Sequence, residues 1–179
     1  MLDVPSIWTL ARPGILISES SPAISILRVV RDDADAAVRL GEAFGVAWPQ
    51  TPNTVAEGPV RVAWMAPGQW AVFDTEADLR GPVSSACSGR LHHLADVSAG
   101  RRLWRIEGVL GRTLIAKGCS IDTHPNILSA NSCARTLFAQ IPILLIASAI
   151  GGSFEIVADV SFAGHMQAWF AEATMEYLQ

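Results

Sequence analysis

The segment from Leu94 to Pro125 constrains the fold more than any other part of the chain. It reads as strand, tight turn, strand, helix and sharp stop. Leu91 to Val97 supplies the first strand, Ser98-Ala99-Gly100 the turn, and Arg101 to Glu107 the second strand. A period of two along that second strand puts Arg102, Trp104 and Ile106 on one face. Arg101, Leu103, Arg105 and Glu107 take the other, and the Trp104 face is the expected buried one. Leu110, Leu114 and Ile115 then recur at helical spacing. Lys117 suits the negative end of that helix, and Gly118 is its expected left-handed cap.

The flanking sequence extends the pattern. Ala23 to Arg31 is rich in Ile and Val and predicts a strand. Asp32 is placed to cap the next helix, with Asp33 and Asp35 at its positive end and Gly45 as its stop. Trp48 to Pro59 predicts a loop. Val60 to Met65 and Trp70 to Asp74 predict strands around Ala66-Pro67-Gly68-Gln69, a type II turn sequence. Thr75 to Ser88 reads as short helix or irregular chain. Cys133 to Gln140, Ile143 to Ser148 and Ser153 to Asp159 read as further strands, the last entered through Gly151-Gly152. Ser161 is the expected cap of a final helix carrying Phe162, Met166, Trp169, Phe170 and Ala173 on one side. Strands outnumber helices and the connections are short, so the expected class is α+β, with mostly antiparallel sheets and packed helices. A length of 179 residues suits a single domain, 1–179, or two closely packed lobes of about 1–90 and 91–179.

Composition narrows the function classes. Half of the residues are hydrophobic and 17% are charged, against roughly 25% charged in an ordinary soluble domain. Apolar surface in excess of the core faces partners, which predicts a subunit or an oligomer. A net charge of −4 offers no basic field for nucleic acid. Cys87, Cys119 and Cys133 are odd in number and form no C-x-x-C motif, which favours a reducing compartment. Met1 to Gly14 has no signal-peptide pattern. The greasiest run, Ile141 to Ile150, falls well short of the roughly 20 residues of a membrane helix. A cytoplasmic protein without membrane attachment is the expectation.

Side-chain chemistry is sparse. Neither Gly-x-Gly-x-x-Gly nor a P-loop is present, nor a Gly-x-Ser-x-Gly elbow. His92 and His93 alternate across a strand, and no Cys/His spacing matches a zinc motif, so no metal site is expected. Asp96 and Ser98 at a strand end read either as acceptors for a pterin or as turn-forming groups. Arg101, Arg102 and Arg105, with Arg90 upstream, form the densest basic cluster. It fits a folate glutamate tail, an acidic partner patch or a solvated strand face. Cys119 follows a helix C-terminus, which disfavours a thiolate nucleophile. Trp64, Trp70 and Trp104 read as core residues, any exposed one being an interface anchor.

Four pieces, in order, resemble the gamma subunit family of heterotetrameric sarcosine oxidase. They are Trp64-Met-Ala-Pro-Gly-Gln-Trp70, Leu94-Ala-Asp-Val-Ser98, Ala116-Lys-Gly-Cys-Ser-Ile-Asp122 and Cys133-Ala-Arg-Thr-Leu137. The helix from Ser161 to Trp169 is similar to the family's ending. The likeness covers Val60 to Leu178. Its Asp-Val-Ser step is shared with glycine-cleavage T-proteins, so the resemblance implies the folate-binding fold of the aminomethyltransferases. The helix after Glu107 opens with Gly108-Val109 where these families often have Gly-Pro.

The resemblance implies a subunit that is not catalytic alone. The complex would oxidise the N-methyl group of sarcosine with flavin and pass the one-carbon unit to tetrahydrofolate. It implies FAD, FMN, NAD and tetrahydrofolate on partner subunits, zinc on the small delta subunit, and no cofactor on this chain. Partners would be the alpha, beta and delta subunits. Asp96, Ser98 and Arg101 remain folate candidates, and Trp64, Trp70, Arg102 and Arg105 interface candidates. Two other readings stay open: a stand-alone folate-binding or aminomethyl-transferring module, and a homo-oligomer of the same fold.

Overall fold

The computed structural model describes residues 6–30, 33–73, 78–148 and 152–178. Two units share the chain. Residues 22–98 form one, and residues 6–21 with 99–178 form the other.

The chain opens on a hairpin, β1 (Trp8–Arg12) and β2 (Ile15–Ser20). The first unit then begins with β3 (Ile24–Val29) and helix α1 (Ala34–Phe44). Asp33 caps α1 by accepting the backbone N–H of Ala36 at 2.9 Å. The expected cap, Asp32, lies outside the described residues. Gly45 ends α1 at φ 63° as a left-handed residue, where a Cβ would be strained. The expected Trp48–Pro59 loop contains a short strand, β4 (Val55–Ala56). β5 (Arg61–Ala66) and β6 (Gln69–Phe73) follow, joined at Pro67-Gly68, with Gly68 at φ 67° as a type II turn demands. Helix α2 (Arg80–Ala86) and β7 (His92–Asp96) complete the unit. Its sheet runs β4-β5-β6-β3-β7, all neighbours antiparallel. One face carries Leu27, Val62, Trp70 and Val72 into a core with Ala36, Leu40 and Val83 of the helices.

The second unit takes up β8 (Arg101–Glu107), α3 (Gly111–Gly118), β9 (Ser132–Phe138), β10 (Ile141–Ala147), β11 (Phe154–Asp159) and α4 (Ala163–Ala173). Its sheet runs β1-β2-β8-β11-β10-β9. Trp104 and Ile106 are fully buried with Leu114, Ile115, Met166 and Phe170, so the Trp104 face is the core face. Ser98-Ala99-Gly100 turns the chain as a single 3-10 turn. The strands it joins, however, enter different sheets: β7 pairs with β3, and β8 pairs with β2 and β11. The first hairpin therefore belongs with 99–178, and the units divide at Ser98/Ala99 rather than near residue 90.

Two expected caps are corrected. Gly118 is the last residue of α3, and extended Cys119 (φ −123°) ends the helix. A Cβ on Gly118 would stand 2.6 Å from the Phe138 ring, so glycine is there for close approach rather than for a left-handed turn. At the final helix Asp159, not Ser161, is the acceptor. It takes the Ser161 N–H at 3.0 Å and the Ser161 hydroxyl at 2.7 Å, opening a 3-10 turn that runs into α4.

Candidate functional site

The Asp96 and Ser98 pair sits where β7 ends in the first unit. Asp96 Oδ1 accepts the Ser98 hydroxyl at 2.6 Å and the Ser98 N–H at 2.9 Å. These bonds, the hydroxyl first, hold the Asp96 carboxyl below the usual carboxylate range. Ser98 Oγ in turn accepts the Ile24 N–H at 3.0 Å, tying the turn to the start of β3. Beside this corner lies an open cavity of about 230 Å³, lined by Ile24, Asp78, Arg80, Leu94, Asp96 and Ser98 among others. Ligand sites run from about 300 Å³ upward. Asp78 and Arg80 were not singled out in the sequence, since nothing in their spacing links them to Asp96.

The basic cluster in the second unit is neutralised within its own sheet. Arg101 donates to Asp159 at 2.8 Å, its register partner across β8 and β11. Arg105 donates through Nε (3.2 Å) and Nη2 (2.9 Å) to Glu155, again its register partner. Arg102 Nε lies 3.4 Å from Glu19 Oε1. Arg90, upstream in the first unit, is held by Asp33 and Asp35. The Arg side chains are thus engaged as cross-strand and tertiary ion pairs.

Glu19 is a further polar residue that was not singled out in the sequence. It is 1% exposed, and its carboxylate accepts the Trp104 indole N–H at 3.2 Å and the Gln167 amide at 2.7 Å. A buried carboxylate is costly without such donors. A signal existed: in β2, Ile15, Ile17 and Glu19 alternate, so the acid shares the apolar face.

The tryptophans divide. Trp104 is fully buried. Trp70 is 4% exposed and donates its indole N–H to the Pro49 carbonyl at 2.6 Å. A side chain sealed inside its own unit cannot anchor a partner, so Trp70 is a core residue and not an interface candidate. Trp64 is half-buried against the same core. Cys87, Cys119 and Cys133 are all buried, and none is in a disulfide among the described residues. Burial raises the Cys87 thiol pKa. Cys119 Sγ lies 3.7 Å from the Thr136 hydroxyl. His92 Nδ1 meets the Arg90 carbonyl at 3.0 Å, while His93, His124 and His165 are exposed. Among the described residues no group of three His, Cys, Asp or Glu is placed to hold a metal, and no helix is long and apolar enough to cross a membrane.

Comparison with known proteins decides what this arrangement belongs to. The model of the sarcosine oxidase, gamma subunit family matches residues 30–176. The chain belongs to that family. It is 30% identical over 142 residues to the sarcosine oxidase subunit gamma of Corynebacterium sp. (strain P-1), covering 77% of this chain and 69% of that one. The Arthrobacter sp. subunit gamma is 29% identical over the same shares. Among solved structures, a chain of the heterotetrameric sarcosine oxidase from Corynebacterium sp. U-96 in complex with pyrrole 2-carboxylate superposes with a TM-score of 0.83 at 24% identity. That match covers 95% of this chain and 88% of the other. The glycine cleavage system aminomethyltransferase T from Bartonella henselae shares the fold at a TM-score of 0.58 and 10% identity, over 83% of this chain and 43% of that one. For this gamma-family member the family match begins well before Val60, so it takes in α1 and most of the first unit. The hallmark pieces occupy structural corners: the β5–β6 turn, the end of β7, the end of α3 against Phe138, and strand β9.

Proposed function

We propose that this chain is the non-catalytic gamma-type subunit of a heterotetrameric, flavin-dependent sarcosine oxidase, acting through its surfaces. Family membership supplies the complex. The observation that carries the surface role is the fate of the polar candidates. Asp96 is engaged by Ser98, Arg101 by Asp159, Arg102 by Glu19 and Arg105 by Glu155. On this reading the assembly demethylates sarcosine oxidatively and passes the one-carbon unit to tetrahydrofolate. FAD, FMN, NAD and tetrahydrofolate reside on the larger alpha and beta partners, and the delta subunit completes the tetramer. Three buried cysteines outside any disulfide support a reducing, cytoplasmic setting.

The test is purification of the tagged chain expressed from its native operon, with visible spectra and masses of what accompanies it. Larger yellow partners are the expected result. Stoichiometric flavin on the isolated chain would overturn the reading.

The cavity beside Asp96 and Ser98 favours a second reading, a folate-binding module. Its small volume and open form weigh against a whole pterin. Calorimetric titration of the isolated chain with tetrahydrofolate separates the two, and no heat is expected.

A further inference from the structure

The sheet of the first unit has two unlike edges. β4, at one end, is two residues long, and a very short strand is one way to blunt an edge. β7, at the other, spans His92–Asp96 and pairs only with β3 among the described strands. It has no proline, lysine or bulge to deter a further strand.

The ladder fixes which groups this edge presents. The Val97 N–H donates to the Ile24 carbonyl at 3.0 Å, and the Val30 N–H to the Leu91 carbonyl at 3.2 Å. Backbone polar groups alternate in direction along an antiparallel strand. His93 and Ala95 therefore turn theirs toward β3, while His92, Leu94 and Asp96 turn theirs outward. The side chains of those same three residues share one face. Leu94 is half-buried and Asp96 exposed. Asp96 Oδ1 is taken by Ser98, and no hydrogen bond reaches Oδ2 among the described residues. His92 Nδ1 meets the Arg90 carbonyl at 3.0 Å, which leaves Nε2.

This pattern complements itself when read backwards. A two-fold axis through Leu94 sets Leu94 against Leu94 of a second β7, and His92 against Asp96 on both sides. All three facing pairs have outward backbone groups, so each exchanges two hydrogen bonds. A protonated imidazole donates from both nitrogens, one to Arg90 and the other to the facing carboxylate. Beyond them Leu91, 82% exposed, comes opposite Val97. Opposite charges and apolar pairs directly across a ladder are stabilising. Moving the axis to His93 or Ala95 keeps the backbone bonds. It sets His93 against itself in the first case and Asp96 against Leu94 in the second.

We propose that β7 is a dimerisation edge, pairing antiparallel with β7 of a second copy of this chain about a two-fold axis through Leu94. The contact is isologous and closes on itself, so the two sheets run on as one. The self-matching register selects a second copy as the occupant. The proposal goes beyond the subunit reading and stands without it.

The experiment co-expresses two differently tagged copies of the full chain from its native operon and captures one tag. The second tag is expected in the capture. His92→Glu sets an acid against Asp96 twice and should reduce that capture about tenfold, whereas His92→Lys should keep it. Leu94→Cys should link chain to chain on mild oxidation, because facing Cα atoms there lie about 5.5 Å apart, within disulfide reach. Ala95→Cys should not, since its counterpart stands two positions away. Thermal midpoints verify folding, and His93→Cys/Ala95→Cys, which face each other across the copies, serves if Leu94→Cys unfolds the chain. Capture without the second tag would overturn the dimer. Equal capture by His92→Glu and His92→Lys would also overturn it, as would linking through Ala95→Cys and not Leu94→Cys. A complex holding one copy, with its β7 amides protected from hydrogen exchange, would overturn it in favour of a partner's strand. Whether larger yellow subunits accompany the captured pair tests the subunit reading separately.

Discussion

Gly118 lies flat against the ring of Phe138, so close that a Cβ on the glycine would meet three ring carbons at 2.6 to 2.9 Å. Phe138 is fully buried and its ring packs edge-on against Trp169, with centroids 4.6 Å apart. The ring therefore has little room to yield. Alanine favours a helix over glycine by about 1 kcal/mol, but overpacking costs about 1–3 kcal/mol. Gly118→Ala is expected to be destabilising on balance. Urea denaturation checks this, and a raised midpoint would refute it.

Glu19 joins β2 to β8 and α4 through Trp104, Arg102 and Gln167. Glu19→Ala leaves a buried indole N–H and a partly buried guanidinium without their acceptor. The expected loss is about 2–4 kcal/mol, read by equilibrium denaturation and by a shift in tryptophan emission.

The β9–β10 hairpin turns on Ala139 and Gln140, at φ 49° and 68°. Two positive values identify a type I′ turn, which favours Asn-Gly. Ala139 packs on the core, but Gln140 is exposed. Gln140→Gly is expected to stabilise by a few tenths of a kcal/mol to about 1 kcal/mol, visible as a higher thermal midpoint.

Acid stability follows from carboxylates held low in the folded state. The Ala36 N–H does this for Asp33, the Ser98 hydroxyl for Asp96 and the Ser161 N–H for Asp159. A depressed folded pKa contributes stability that is complete above the ordinary value of 3.8. It is lost as pH falls from there through the folded value. The thermal midpoint should therefore hold from pH 7 to about pH 5 and drop below about pH 4. Asp96→Asn/Asp159→Asn should lower stability at pH 7 and shallow that acid drop, and an unchanged acid slope would count against the account.

Much of the fold was legible because period and punctuation agree. Gly45 stops α1, Pro67-Gly68 turns β5 into β6, and Trp104 and Ile106 mark the buried face of β8. What was missed depended on contacts distant in sequence. The first hairpin takes its place in a sheet only through β8, some eighty residues on in the chain. The partner of Gly118 is a ring twenty residues on, invisible to a capping rule. Ser161 lost its capping role to Asp159, since either side chain suits a helix start and only geometry chooses. The candidate site divided in the same way. Asp96 with Ser98 reads locally as a turn, whereas the acids that meet Arg101, Arg102 and Arg105 come from β2 and β11.

The interleaving of the chain has a consequence for its birth on the ribosome. β2 emerges early, yet its neighbour β8 is translated only after the whole of residues 22–98. The first unit can close while synthesis continues. The opening hairpin must wait with one edge bare, and such an edge invites pairing with other nascent chains. Arrest of translation before β8 would release a polypeptide with one finished unit and one stranded hairpin. Its propensity to aggregate would then be set by β2 rather than by the completed first unit.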